Sequence, residues 1–130
     1  DGHLLKAFFP GGASGGILPA NLASLPLDFG VFEEYGGFIG SHAIVILSDH
    51  DNIKEAALNT MRFFKHESCG QCTPCRSGTD KMISLLEDNN KELDLYNALI
   101  KVMSDSSICG LGQAASNCVS HLIKYFPEEF

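Results

Sequence analysis

Cys69, Cys72 and Cys75 stand two residues apart in the run Glu67-Ser68-Cys69-Gly70-Gln71-Cys72-Thr73-Pro74-Cys75-Arg76. Cys109 returns in Ser107-Ile108-Cys109-Gly110-Leu111-Gly112, after thirty-three intervening residues. A two-residue gap lets neighbouring cysteine side chains point into one concavity. Three thiolates from one tight turn and a fourth from a distant loop match the corners of an iron–sulfur cube, which usually takes four thiolates. Structural zinc also accepts four cysteines, but commonly as two separated pairs. The three-plus-one arrangement therefore favours a [4Fe–4S] cluster held by Cys69, Cys72, Cys75 and Cys109, and electron transfer as the chemistry. A zinc-stabilised interaction module without a redox role is the alternative.

The neighbours fit a cluster. Gly70 and Pro74 shape the loop, and backbone N–H groups there can donate to cluster sulfurs. Ser68 and Thr73 offer hydroxyls, and Arg76 offers a compensating charge ahead of Lys65 and Lys81. Cys118 is the fifth cysteine, and its place on an apolar helix side predicts a buried, inert thiol. His66, close to the loop, is expected at the surface. His3, His42, His50 and His121 share no metal-ligand spacing.

Such loops need elements to hold them. From about Asp51 the texture is helical. Asp51 or Asn52 caps a first helix, and with Asn52 as cap Glu55 falls at its third position; Ile53, Ala57, Met61 and Phe64 form its apolar stripe. Thr73 caps a second helix with Pro74 at its first position; that helix buries Met82, Leu85 and Leu86 and stops at Asp88-Asn89-Asn90. Gly78 inside it marks either close approach to a neighbour or a tolerated surface glycine. A third helix carries Leu93, Tyr96, Ile100 and Met103. Ser104–Gly112 is read as loop. A fourth helix, about 113–125, presents Ala114, Cys118, Leu122 and Tyr125. Short connections between these helices predict a four-helix bundle.

Residues 1–50 read differently. Pro10-Gly11-Gly12-Ala13-Ser14-Gly15-Gly16 is a glycine-rich turn region. It lacks the Lys-Ser/Thr ending of a phosphate loop and the glycine order of a dinucleotide fingerprint, so a structural turn is preferred to an anion cradle. Pro19 and Pro26 argue against helix, and Ala43–Leu47 is strand-length. The fold class is α+β, divided into 1–50 and 51–130.

Composition narrows the function further. The 130 residues are 45% hydrophobic, enough for one real core. Nine basic against sixteen acidic residues give a net charge of −7, which argues against nucleic acid. No apolar run reaches the roughly 20 residues of a membrane span. Five cysteines are an odd set for a secreted disulfide framework, and a reducing, cytoplasmic or matrix-like compartment fits better. The start at Asp1-Gly2-His3-Leu4, with neither an initiator Met nor a signal peptide, reads as a piece of a longer chain.

The segments Glu67–Thr79 and Ser107–Gln113 closely resemble the flavoprotein, NADH-binding subunits of NADH–quinone oxidoreductase. The same module occurs in the beta subunit of soluble NAD-dependent formate dehydrogenases and in NAD-reducing hydrogenases. Phe63–Cys69 and Gly40–Ala43 look closer to the formate dehydrogenase type. The likeness runs along essentially the whole chain, with Gly11–Pro19 similar to the family's soluble-ligand-binding β-grasp (SLBB) portion and residues from about 51 similar to its helical cluster domain. The resemblance implies that Cys69, Cys72, Cys75 and Cys109 are the cluster ligands. It implies FMN and NAD in the full-length subunit only, on a domain upstream of this segment, so this fragment alone is not catalytic. It also implies partner subunits of a multi-subunit dehydrogenase, including a 2Fe–2S subunit, and a place in the cytoplasm or on the cytoplasmic or matrix face of a membrane complex. Cys118 stands where many relatives are expected to carry proline.

Overall fold

The computed structural model describes residues 2–130; Asp1, the first residue of the expected sheet segment, lies outside the described residues. Among the described residues three strands lie in the order β2-β1-β3, with β1 Leu5–Phe9, β2 Leu18–Pro19 and β3 Val45–Ser48. Both neighbours are antiparallel to β1, in registers Phe8↔Leu18 and Phe8↔Ile46. Side chains alternate across a strand, and β1 uses both faces. Ala7 and Phe9 join the core formed with the helices. Phe8 faces a smaller cluster with Leu18, Phe32 and Ile39.

The strand expected at Ala43–Leu47 is displaced to Val45–Ser48. The preceding residues are committed to the glycine-rich turn: Gly12 N–H donates to the Ala43 carbonyl at 2.8 Å and Ser41 N–H to the Gly11 carbonyl at 2.9 Å. That turn packs tightly, since a Cβ on Gly11 would fall 2.3 Å from the Gly40 nitrogen. The Gly12 and Gly15 N–H groups are both engaged by backbone carbonyls, as a structural turn requires.

Among the described residues five α-helices follow: α1 Ile53–Glu67, α2 Thr73–Glu87, α3 Leu93–Ser106, α4 Gly110–Ala114 and α5 Asn117–Tyr125. Of the two expected caps of α1, Asn52 is the one used, with Glu55 N–H donating to Asn52 Oδ1 at 2.8 Å. Its stripe of Ile53, Ala57, Met61 and Phe64 is buried. It meets Met82 and Leu86 of α2, Tyr96 and Met103 of α3, and Cys118 and Leu122 of α5 in one core. Each large apolar side chain buried there contributes about 1.5–3 kcal/mol relative to exposure. α1 packs on α2 and α5, and α3 packs on α2, α4 and α5. The chain is thus α+β, with a small sheet followed by helices.

Three helix boundaries differ from expectation. α3 continues to Ser106 and α4 begins at Gly110, so the expected loop Ser104–Gly112 shrinks to Ser107–Cys109. The single fourth helix is two, with the break at Ala115–Ser116. α2 is capped by Cys72 rather than Thr73, because the Cys72 carbonyl already accepts from Arg76 N–H at 3.0 Å. In α3, Leu93 is exposed and Ile100 half-buried, leaving Tyr96 and Met103 as its buried residues. Gly78 is buried, and a Cβ there would meet Met103 Cγ at 2.6 Å. Close helix approach, not surface tolerance, explains it.

Candidate iron–sulfur centre

The loop between α1 and α2 and the short turn between α3 and α4 lie at one end of the helices and enclose a cavity of about 430 Å³. All four predicted cysteines line it: Cys69, Cys72, Cys75 and Cys109, with Ser68, Ile108 and Leu111 among their neighbours. Local structure sets each one. Gly70 adopts a left-handed φ of +74°, a conformation that costs other residues steric strain. It lets the chain reverse between Cys69 and Cys72. Arg76 then clasps the loop, donating from its guanidinium to the Gly70 carbonyl at 2.5 Å and to Thr73 Oγ1 at 3.3 Å. Thr73 therefore serves this clasp, while Ser68 Oγ lies 3.3 Å from Cys75 Sγ. Cys72 and Cys109 are the residues from which α2 and α4 begin, and the positive end of the long helix α2 favours anionic sulfur.

The two loops meet through Cys72. Backbone hydrogen bonding from Ile108, then from Cys75, holds the Cys72 thiol below its ordinary pKa. These are donors suited to charged sulfur. Ser107 itself is buried, and its Oγ has no regular hydrogen-bond partner in the protein. Its backbone carbonyl is fixed by Gln113 Nε2 at 3.1 Å. Gly112 completes the cradle, because a Cβ there would fall 2.5 Å from Ser107 Oγ and 2.8 Å from Cys75 Cβ. Ser107 and Gly112 carried no assigned role in the sequence reading. Their only signal was proximity to Cys109.

The donor set fits an iron–sulfur cube. Among the described residues no three cysteine sulfurs lie within 4.8 Å of one another. A zinc tetrahedron with bonds of about 2.3 Å would hold them about 3.8 Å apart. A cube receives each thiolate at a separate iron, so wider separation suits it. An orphaned buried hydroxyl and converging N–H groups add donors for inorganic sulfide.

The remaining candidates fall outside the cavity. Cys118 is fully buried, donates to the Ala13 carbonyl at 3.3 Å, and burial pushes its thiol up to about 12. It is the inert thiol expected. His66 is exposed and pairs with Glu67, 3.1 Å from Nδ1 to Oε1. Lys65 pairs with Asp80 on α2. Two histidines depart from the sequence reading: His3 and His50 are brought together beside Asp49.

Residues 55–130, the span that contains this cavity, match the family described as the NADH-ubiquinone oxidoreductase-F iron-sulfur binding region, of the 4Fe–4S type. The chain belongs to that family. It is 37% identical over 131 residues to the NADH-quinone oxidoreductase F subunit of Rickettsia typhi, covering 96% of this chain and 31% of that protein. It is 36% identical over 132 residues to the corresponding protein of Rhodobacter capsulatus, with the same coverage of 96% and 31%. The fold matches a chain of an NAD+-reducing [NiFe]-hydrogenase in its H2-reduced state, with a TM-score of 0.84 and 28% identity over 96% of this chain and 22% of that one. The chain thus spans about a third of the length of the curated relatives it matches. No helix among the described residues is long and apolar enough to cross a membrane.

Proposed function

We propose that this chain is the electron-relay module of an NADH-dependent oxidoreductase subunit. In this reading Cys69, Cys72, Cys75 and Cys109 hold the [4Fe–4S] cluster. Single electrons pass between an FMN/NADH site on another domain of the longer subunit and partner subunits, one of them a 2Fe–2S protein. The cluster, when bound, supplies reversible one-electron transfer. The residues of this chain do the rest. Gly70 and the Arg76 clasp fix the three-cysteine loop, Gln113 fixes the return turn, and the Ser107 hydroxyl and Ile108 N–H donate toward sulfur. Leu111 and the exposed side chain of Ile108 add apolar surface to the cavity lining.

The convergence of four thiols from two distant loops on one cavity carries this reading. The finer architecture goes with it: residues 1–50 as part of an SLBB-like β-grasp, and residues 51–130 as a four-helix bundle of α1, α2, α3 and α5. The position of every strand before Asp49 and every α-helix after Asn52 supports that boundary. The proposed place is the cytoplasm, or the cytoplasmic or matrix face of a membrane complex.

Anaerobic reconstitution with iron and sulfide tests the reading. The expected product is brown, holds iron and sulfide in equal amounts, and gives an EPR signal on reduction. Colourless protein that takes up one zinc per chain and no iron under those conditions would overturn it.

A further inference from the structure

The antiparallel pairing of β1 and β3 brings His3, just before β1, beside Asp49 and His50, just after β3. Their ligand atoms all lie within 4.8 Å of one another. His3 Nδ1 is 3.6 Å and His50 Nε2 is 4.0 Å from the same carboxylate oxygen, Asp49 Oδ1. The two imidazoles meet edge to face, with centroids 4.4 Å apart. We propose that His3, Asp49 and His50 form a surface site for a divalent transition-metal ion of the zinc type, separate from the cysteine centre.

Two nitrogens and one carboxylate oxygen are the donor set of a three-ligand zinc site, which leaves the fourth position to water. Bonds of about 2.0–2.1 Å to a tetrahedral ion place ligand atoms about 3.4 Å apart, so small side-chain rotations close the site. Imidazole donors select zinc, nickel, cobalt or copper over magnesium or calcium.

The carboxylate is already oriented. Leu4 N–H donates to Asp49 Oδ1 at 3.2 Å, and Asp49 N–H donates back to the Leu4 carbonyl at 2.9 Å. The turn carrying His50 is held as well, by the Asp51 carboxylate, which accepts from Ser48 N–H at 2.6 Å and Ser48 Oγ at 2.9 Å. Supporting bonds of this kind orient ligands in metal sites. All three side chains are exposed, so an ion has free access. Helix α1 starts just after this turn and reaches the cysteine loop fifteen residues later, about 22 Å away along its axis. The two centres do not share ligands. An ion here would tie the segment entering the sheet to the turn leaving it.

Titration of the untagged, cluster-loaded protein with Zn2+ tests the site, followed by calorimetry, by imidazole NMR resonances and by visible cluster absorbance. One equivalent binds, the His3 and His50 resonances move, and the absorbance stays constant. His3→Ala and His50→Ala each weaken binding by at least about tenfold, the loss that even supporting groups produce. Asp49→Asn weakens it while keeping the Leu4 acceptor, and His42→Ala leaves it unchanged. Absence of one-equivalent binding, binding that survives in the His3→Ala/His50→Ala double variant, or binding accompanied by loss of cluster absorbance would each overturn the proposal.

Discussion

The ring of His121 on α5 lies directly over Gly16: a Cβ on Gly16 would fall 2.3 Å from both Cε1 and Nδ1. The glycine is what lets the sheet segment close on the helices at this seam. The ring is only 3% exposed, and its Nδ1 has no hydrogen-bond partner.

Burial lowers the His121 pKa to about 4, with the Lys124 charge adding to it and backbone groups of Gly36 and Ile17 opposing it. An unfolded histidine titrates near 6.5, so between pH 6.5 and 4 the unfolded state binds the extra proton. Stability is therefore full above pH 6.5 and falls as the pH drops toward 4, by an amount on the order of 3 kcal/mol. Chemical denaturation at successive pH values, in the range where the cluster absorbance is retained, should show a steeper acid-side loss for the wild type than for His121→Gln. Parallel curves would refute the assignment.

Gly78→Ala should destabilise. The substitution gains about 1 kcal/mol of helix propensity, but the new methyl would overlap the fully buried Met103. Overpacking costs about 1–3 kcal/mol, so the net loss is expected at about 1 kcal/mol. Adding Met103→Ala should make the Gly78 effect smaller or reverse its sign, a coupling that a double-mutant cycle reads directly.

Cys72→Ser should block cluster assembly and loosen the end of the helices, because the metal centre joins two distant loops and its binding is coupled to folding. Cys118→Ser should leave cluster content and spectrum unchanged, since that sulfur bonds to the Ala13 carbonyl away from the cavity. Iron and sulfide analysis of both variants decides. The reverse pattern would remove Cys72 from the ligand set.

Ser107→Ala should shift the cluster potential to a more negative value. A hydroxyl donating toward the centre favours the reduced, more negative state. A hydrogen bond worth about 1 kcal/mol corresponds to roughly 40 mV for one electron. Redox titration monitored by EPR measures the shift. An unchanged potential would mean the hydroxyl does not address the cluster.

What was legible in the sequence was local. Asn52 and Glu55 announced the start of α1, and Asp88-Asn89-Asn90 its successor's end, with Asn89 taking a left-handed φ of 53°. The cysteine spacing marked all four cavity-lining thiols without any tertiary information. The hidden features were non-local. His3 and His50 are separated by most of the sheet segment, and only strand register brings them together. The role of Gly112 depends on where Ser107 and Cys75 come to rest. The break between α4 and α5 had no proline or glycine at Ala115–Ser116 to signal it, and the strand at Val45 was displaced by hydrogen bonds from a turn thirty residues earlier.

Three polar side chains join the last helix to residues near the beginning of the chain. Asn117 Nδ2 donates to the Ser14 carbonyl at 2.8 Å, Cys118 to the Ala13 carbonyl, and Tyr125 Oη to the Tyr35 carbonyl at 2.6 Å. With Ala7, Phe9 and Ile17 also packed into the helical core, covalent continuity matters less than this stitching. A single protease nick at the exposed Leu27–Phe29 bend would yield two peptides that still migrate as one particle and separate only in denaturant.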